Sequence, residues 1–174
     1  LHAVVDAIRT EWTDATPELV LYAIDLGNHD ASSESYWTLD PVDGTKGFLR
    51  GEQYALALAL IEKGEVVLGA MACPNLPLKS DAPVEKPDAH GVIAFARRGH
   101  GASILPADKP LGAAQPIHVG EAGERIRVCE SVESTHTKHD DTKRIVDHLG
   151  GAGAPARLDS QAKYTVVARG QADA

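Results

Sequence analysis

Two carboxylates, Asp40 and Asp43, stand on either side of Pro41 and Val42 in the stretch YWTLDPVDGTKGFLRG, residues 36–51. The apolar run before them predicts a strand ending at Asp40, where side chains leave a sheet and enter a crevice. Pro41 fixes the turn that follows, so the Val42 carbonyl is presented instead of being spent on a ladder. Two carboxylates and one carbonyl form an all-oxygen donor set, which suits hard cations such as Mg²⁺. Gly44 lets the backbone approach a ligand closely. The segment from Thr45 onward could open a short helix whose N–H groups and dipole face an anion. Cation-holding acids beside anion-facing amides are the layout of a metal-assisted phosphomonoesterase. Taken alone, the string D-P-x-D-G is equally good turn chemistry, so the flanks and the rest of the chain must decide.

Downstream, SVESTHTKHD and LDSQAKY hold the other polar groups of interest: Thr135, His136, Ser160 and Lys163. Lys163 can supply a point charge to a phosphate, and His136 can donate to one or pack against a ring. Each also reads as an ordinary solvated residue when considered by itself. His139 and Asp140 fall in the first turn of a helix and need no function. Lys46 and Arg50 read as solvated.

The elements that must position these residues follow from pattern. LHAVVDAIRTEW has apolar residues at helical spacing. TPELVLYAIDLG predicts a second helix with Thr16 as N-cap, Pro17 at the first helical position and Gly27 as its stop. HDASSES is a loop, and YWTLD is a short strand closed by Pro41. QYALALALIEKGEVVLGAMACP predicts a hairpin of central strands, although the alanines and leucines of its first run leave a helix open. Residues 75–90, rich in proline and charge, read as a surface loop. HGVIAFARRGHGASIL gives two strands around a glycine turn, followed by a polar, proline-bearing stretch over 106–116. RIRVCESVE, at 125–133, is a strand, and HTKHDDTKRIVDHLG is an amphipathic helix ended by Gly150 and Gly151. The last segment holds a short strand, a turn, and another strand or helix. This alternation predicts a layered α/β (α+β) protein, with a first domain over 1–124 and the start of a second over 125–174.

The bulk numbers narrow the function classes. The chain has 174 residues and a formal net charge of −8, which argues against a general nucleic-acid-binding surface. No apolar run approaches the roughly 20 residues of a membrane span. Two cysteines, Cys73 and Cys129, are too few for a disulfide framework and lack zinc spacing. They read as buried thiols of a reducing, cytoplasmic compartment. Leu1 lies inside an apolar helical pattern and QADA follows an apolar run, so the sequence is expected to be a fragment lacking both ends.

YWTLDPVDGTKGF closely resembles the W-x-x-D-P-[IVL]-D-G-T-x-[GN]-F signature of the inositol monophosphatase superfamily, matching at Trp37, Asp40, Pro41, Asp43, Gly44, Thr45, Gly47 and Phe48. The resemblance implies the layered sugar-phosphatase fold and Mg²⁺-dependent, lithium-sensitive phosphatase chemistry. It implies that Asp40, Asp43 and the Val42 carbonyl hold metal, that Thr45 orients the attacking water, and that Gly44 borders the substrate. RGEQYALALALIEKGEVVLGAMACPNLP, SVESTHTKHD and LDSQAKY are similar to segments of its 3′(2′),5′-bisphosphate nucleotidase branch, a branch tied to sulfate assimilation. There the equivalents of Thr135, His136, Ser160 and Lys163 hold the nucleotide. The implied reaction is hydrolysis of adenosine 3′,5′-bisphosphate, with 3′-phosphoadenylyl sulfate as a further substrate, by a protein that is a monomer when complete. The alternatives are an inositol mono- or polyphosphate phosphatase, or a catalytically inert truncated chain. Further metal-binding acids of the family have no counterpart in this sequence, so the segment by itself is expected to be weakly stable and inactive.

Overall fold

The structure is a computed structural model that describes residues 1–121, 126–132, 139–148, 151 and 155–174, without the side chains of 139–143. The chain divides into two units, Leu1–Glu34 and Ser35–Ala174.

The first unit holds α1 (His2–Ile8) and α2 (Pro17–Leu26). Helix α2 begins as its sequence predicts: the Leu19 N–H donates to Thr16 Oγ1 at 3.2 Å, and Pro17 costs nothing where no intrahelical acceptor exists. Val5, Ala15 and Val20 make a small core with Ile8 packed on it. Arg9 ties the link between the helices by donating from Nε to the Ala15 carbonyl at 2.9 Å.

The second unit is built on a six-stranded antiparallel meander. Its strands run in chain order: β1 (Ser35–Asp43), β2 (Ala55–Glu62), β3 (Glu65–Cys73), β4 (Val92–Arg97), β5 (Ala102–Pro106) and β6 (Gln115–Ile117). The β2–β3 hairpin turns on Lys63 and Gly64, both left-handed at φ 52° and 79°. That geometry matches the right-handed twist of the flanking strands. It also settles the open choice for residues 55–62 in favour of a strand. β6 overlaps the end of the polar, proline-bearing stretch over 106–116. Helix α3 (Thr45–Arg50) follows the acidic turn as expected.

Two expectations need correction. The strand through YWTLD does not stop at Pro41 but continues to Asp43. Among the described residues β1 is an edge strand paired only with β2, so a missing N–H is tolerated there. The register explains the rest. Asp40 opposes Ala57 and Asp43 opposes Ala55, so Pro41 and Val42 together face Leu56 in a bulge. The second correction concerns the loop over 75–90. It is not merely superficial: Leu76 is fully buried and Val84 is 6% exposed. The amide of Gln53, itself 2% exposed, donates to the carbonyls of Asn75 and Val84 at 3.0 and 2.9 Å and pins the loop down.

Residues of the C-terminal segment around Ala162–Ala168 pack on one face of this sheet. β7 (Cys129–Glu130) and β8 (Ala156–Arg157) form a separate two-stranded parallel sheet, so the strand expected over 125–133 pairs across only two residues among those described. Helix α4 (His139–His148) precedes β8, and α5 (Ala162–Ala168) settles the final element as helix. Leu158, Ala162 and Val166 join Cys73, Leu76 and Val92 in one core, each at most 1% exposed. Six such side chains removed from water contribute on the order of 10 kcal/mol of gross apolar stabilisation, before chain entropy is subtracted. On the opposite face of β1, Trp37 and Leu39 remain 54% and 57% exposed.

Candidate active site

The bulge in β1 has a geometric effect on the two acids. Spaced three apart on a regular strand, Asp40 and Asp43 would point to opposite faces. Their cross-strand partners, Ala57 and Ala55, are two apart on β2 and share a face. The extra residue therefore returns both carboxylates to one side of the sheet. Asp40 looks along that face, lining an apolar cavity of about 420 Å³ with Thr38, Met71 and Tyr164. Asp43 lines a neighbouring polar cavity of about 430 Å³ with Gly44, Thr45, Lys46, Ser160 and Lys163.

The second cavity joins two distant parts of the chain. Asp43 Oδ2 accepts a hydrogen bond from the backbone N–H of Gln161. Gly44 adopts φ +81°, and a Cβ placed there would stand 2.6 Å from Ser160 Cβ. Only glycine meets both demands, a left-handed backbone and direct contact with Ser160. Ser160 is also left-handed, at φ +70°. Arg50, at the end of α3, pairs with the carboxylate of Asp159 and reaches Glu52 Oε2 at 2.6 Å. Gly47 lies between these contacts, where any side chain would collide with the Gln53 carbonyl and press on Asp159 Cβ.

Lys163 is held from within. Its Nζ donates to Ser131 Oγ at 3.1 Å, to the Ser160 carbonyl at 2.9 Å and to the Leu158 carbonyl at 3.4 Å. Burial lowers its pKa, an effect that Asp159 and Asp43 oppose. Thr45 Oγ donates to the Val42 carbonyl at 3.4 Å, a long bond that a competing partner could replace.

Among the expected residues, Asp43, Gly44, Thr45, Ser160 and Lys163 meet at one cavity, and Asp40 faces the adjoining one. Val42 presents its carbonyl toward Thr45. Thr135 and His136 lie outside the described residues. Sequence reasoning missed Arg50, read as solvated, and Asp159, Gln161 and Ser131. For Gln161 no sequence signal exists, because its contribution is a backbone N–H.

The donor chemistry fits a hard cation in part. Asp43 keeps an oxygen beyond the one given to Gln161, and the carboxylate of Asp40 and the Val42 carbonyl are oxygen donors too. Among the described residues no group of three or more His, Cys, Asp or Glu side chains comes together, so these three donors are an incomplete shell.

The fold is that of known phosphatase-type structures. CysQ from Bacteroides thetaiotaomicron, described as a bacterial member of the inositol monophosphatase family, superposes with a TM-score of 0.62 at 19% identity, over 87% of this chain and 53% of that one. Mycobacterium tuberculosis SuhB gives 0.55 at 18% identity, over 90% of this chain and 60% of that one. The profile of the inositol monophosphatase family matches residues 4–174, and the chain belongs to that family. In sequence it is 44% identical over 160 residues to 3′(2′),5′-bisphosphate nucleotidase 1 of Arabidopsis thaliana, covering 87% of this chain. It is 40% identical over 159 residues to 3′(2′),5′-bisphosphate nucleotidase of Schizosaccharomyces pombe, covering 90% of this chain. The chain spans 44% of the length of each of these two relatives.

Proposed function

We propose that this chain carries part of the active centre of a 3′(2′),5′-bisphosphate nucleotidase, a Mg²⁺-dependent phosphomonoesterase acting on adenosine 3′,5′-bisphosphate and on 3′-phosphoadenylyl sulfate. The observation that carries this reading is the contact of Asp43 and Gly44 with Ser160 and Gln161. It unites the acidic signature with the LDSQAKY segment at one polar cavity, and the identity to relatives bearing that name favours the nucleotide over other phosphate esters.

In this reading Asp40, Asp43 and the Val42 carbonyl hold Mg²⁺. Bound there, the cation supplies charge neutralisation for a phosphoryl group and acidifies water. Thr45 Oγ, released from its long bond to Val42, holds the attacking water by accepting its proton in a hydrogen bond. Gly44 leaves the backbone open to the substrate. Ser160 offers a hydroxyl beside it. Lys163, whose donors already serve Ser131, Leu158 and Ser160, contributes its positive charge to the field around an anion instead of a free donor. Thr135 and His136 complete the nucleotide contacts. In the complete protein residues 125–174 would begin a second domain; here they share one core with the six-stranded sheet. The family resemblance carries with it lithium sensitivity, a role in sulfate assimilation and a monomeric state, and the two unpaired cysteines suit a reducing, cytoplasmic location.

The test is phosphate release from adenosine 3′,5′-bisphosphate and from inositol 1-phosphate, with Mg²⁺, by the whole product of the gene that encodes this chain. A preference for the nucleotide of about a hundredfold or more in kcat/KM is expected, the scale of discrimination that polar recognition groups supply. Preference for the inositol ester would overturn the substrate assignment.

A further inference from the structure

The carboxylate of Asp159 is 8% exposed and has no part in the chemistry proposed above. Its partner Arg50 lies at the last residue of α3, while Gly44, just before the first residue of α3, contacts Ser160. One short helix thus grips two consecutive residues of the other segment, one at each end. The next residue, Gln161, places its N–H on Asp43. Between the two grips, the close fit of Gly47 against Gln53 and Asp159 holds the helix flush.

The strain in this arrangement is concentrated at Ser160. A serine at φ +70° sits in a conformation that non-glycine residues adopt uncommonly and that surrounding contacts must enforce. Without Arg50 the buried carboxylate loses its hydrogen-bonded cation, and Lys163, whose donors serve Ser131, Leu158 and Ser160, supplies only charge, so the carboxylate would turn toward water. Asp159 is the neighbour of Ser160, so such a turn would relax the serine to negative φ and swing the Gln161 N–H away from Asp43.

We infer that the Arg50–Asp159 ion pair is a positioning device: it holds Ser160 left-handed and sets the Gln161 N–H on Asp43, which fixes the spacing between the acidic turn and the segment bearing Lys163. Arg50 and Asp159 are positioning residues and touch no substrate. The inference rests on the proposed nucleotide reading only for its consequence in ligand affinity.

The experiment is backbone NMR of the whole product of the gene that encodes this chain, as wild type and as Arg50→Gln, Asp159→Asn and Arg50→Lys, each with a titration of adenosine 3′,5′-bisphosphate. In Arg50→Gln the Gln161 amide proton should move upfield from its carboxylate-bonded position. The Ser160 Cα and Cβ shifts should leave their left-handed values, and Arg50→Lys should restore both. Nucleotide affinity should fall about tenfold in Arg50→Gln and recover in Arg50→Lys, the size of coupling found within one hydrogen-bonded network. Unmoved Gln161 and Ser160 signals in a folded Arg50→Gln would overturn the inference. So would an Arg50→Lys as altered as Arg50→Gln, or loss of the fold in both Arg50→Gln and Asp159→Asn, which would make the pair a stabilising contact only. Absence of any nucleotide response in the wild type would count against the function reading, while the Gln161 and Ser160 signals would still decide the positioning role.

Discussion

Asp43 accepts a hydrogen bond from the backbone N–H of Gln161, 118 residues further along the chain. A carboxylate that belongs to the acidic turn is thereby fixed in direction before any ligand arrives. One of its oxygens faces the protein, and the other is left to the cavity it shares with Thr45, Ser160 and Lys163.

That division of labour separates two properties of Asp43. In Asp43→Asn an amide oxygen can still accept from Gln161, so unfolding free energy should fall by no more than about 1 kcal/mol. Divalent-cation affinity should drop by about tenfold or more, because the amide has no charge to offer. Urea titration and equilibrium dialysis with Mn²⁺ as the probe measure the two effects. Equal cation affinity in both proteins would remove Asp43 from the cation site.

Gly44→Ala should be among the most damaging small substitutions. The new methyl would sit 2.6 Å from Ser160 Cβ, on a residue whose φ is +81°. Left-handed strain of about 1 kcal/mol adds to an overpacking cost of about 1 to 3 kcal/mol, giving roughly 2 to 4 kcal/mol. Chemical denaturation should show a lower midpoint with an unchanged slope.

Gln53→Leu tests the tether beneath the loop over 75–90. The substitution strands the carbonyls of Asn75 and Val84, which now accept from Gln53 Nε2. It also removes a buried Oε1 that lacks a partner, so part of the loss is offset. The expected net destabilisation is about 1 to 3 kcal/mol, with faster amide exchange at residues 75–84 as its local signature.

Burial pushes the Cys73 thiol up to about 11, although its hydrogen-bond contact with Thr165 opposes the shift. The folded state thus keeps a proton that the unfolded chain loses nearer pH 9, so the unfolded state binds fewer protons across that interval. Stability from this residue is intact below about pH 9 and declines as the pH rises toward 11. Urea midpoints measured from pH 8 to 11 should fall, and less steeply in Cys73→Ala. At pH 8 the folded protein should leave Cys73 unreactive toward iodoacetamide, with labelling appearing in denaturant.

Thr16→Ala removes the side-chain acceptor for the Leu19 N–H at the start of α2. The loss should be about 1 kcal/mol, read as faster exchange at Leu19 within the unit Leu1–Glu34.

Much of the fold could be read from local pattern. The Lys63–Gly64 turn between two apolar runs announces its hairpin, and Thr16 followed by Pro17 announces α2. In both cases the cause lies within a few residues. Pro41 misled because its usual meaning, the end of a ladder, depends on whether the strand has a second neighbour. At a sheet edge it does not, and that is a property of topology. Gln53 looked like an ordinary polar residue; its burial depends on the carbonyls of Asn75 and Val84, which the chain supplies more than twenty residues later. At the candidate site, the acids and the glycine were legible because their types are chemically specific. The residues that join them to the second segment were not: Gln161 acts through its backbone, and Arg50 resembles any helix-terminal arginine until Asp159 is brought against it.

The bulge at Pro41 and Val42 has a consequence for how such a site can be lost. Both acids share a face only because β1 carries one residue more than β2 across that interval. Inserting one residue into β2 between Ala55 and Ala57 would equalise the count and swing Asp43 to the far side of the sheet while every acidic residue stayed in place. Through this stretch, chain length specifies the chemistry as strictly as residue identity does, and a variant can retain both carboxylates and still lose the pair.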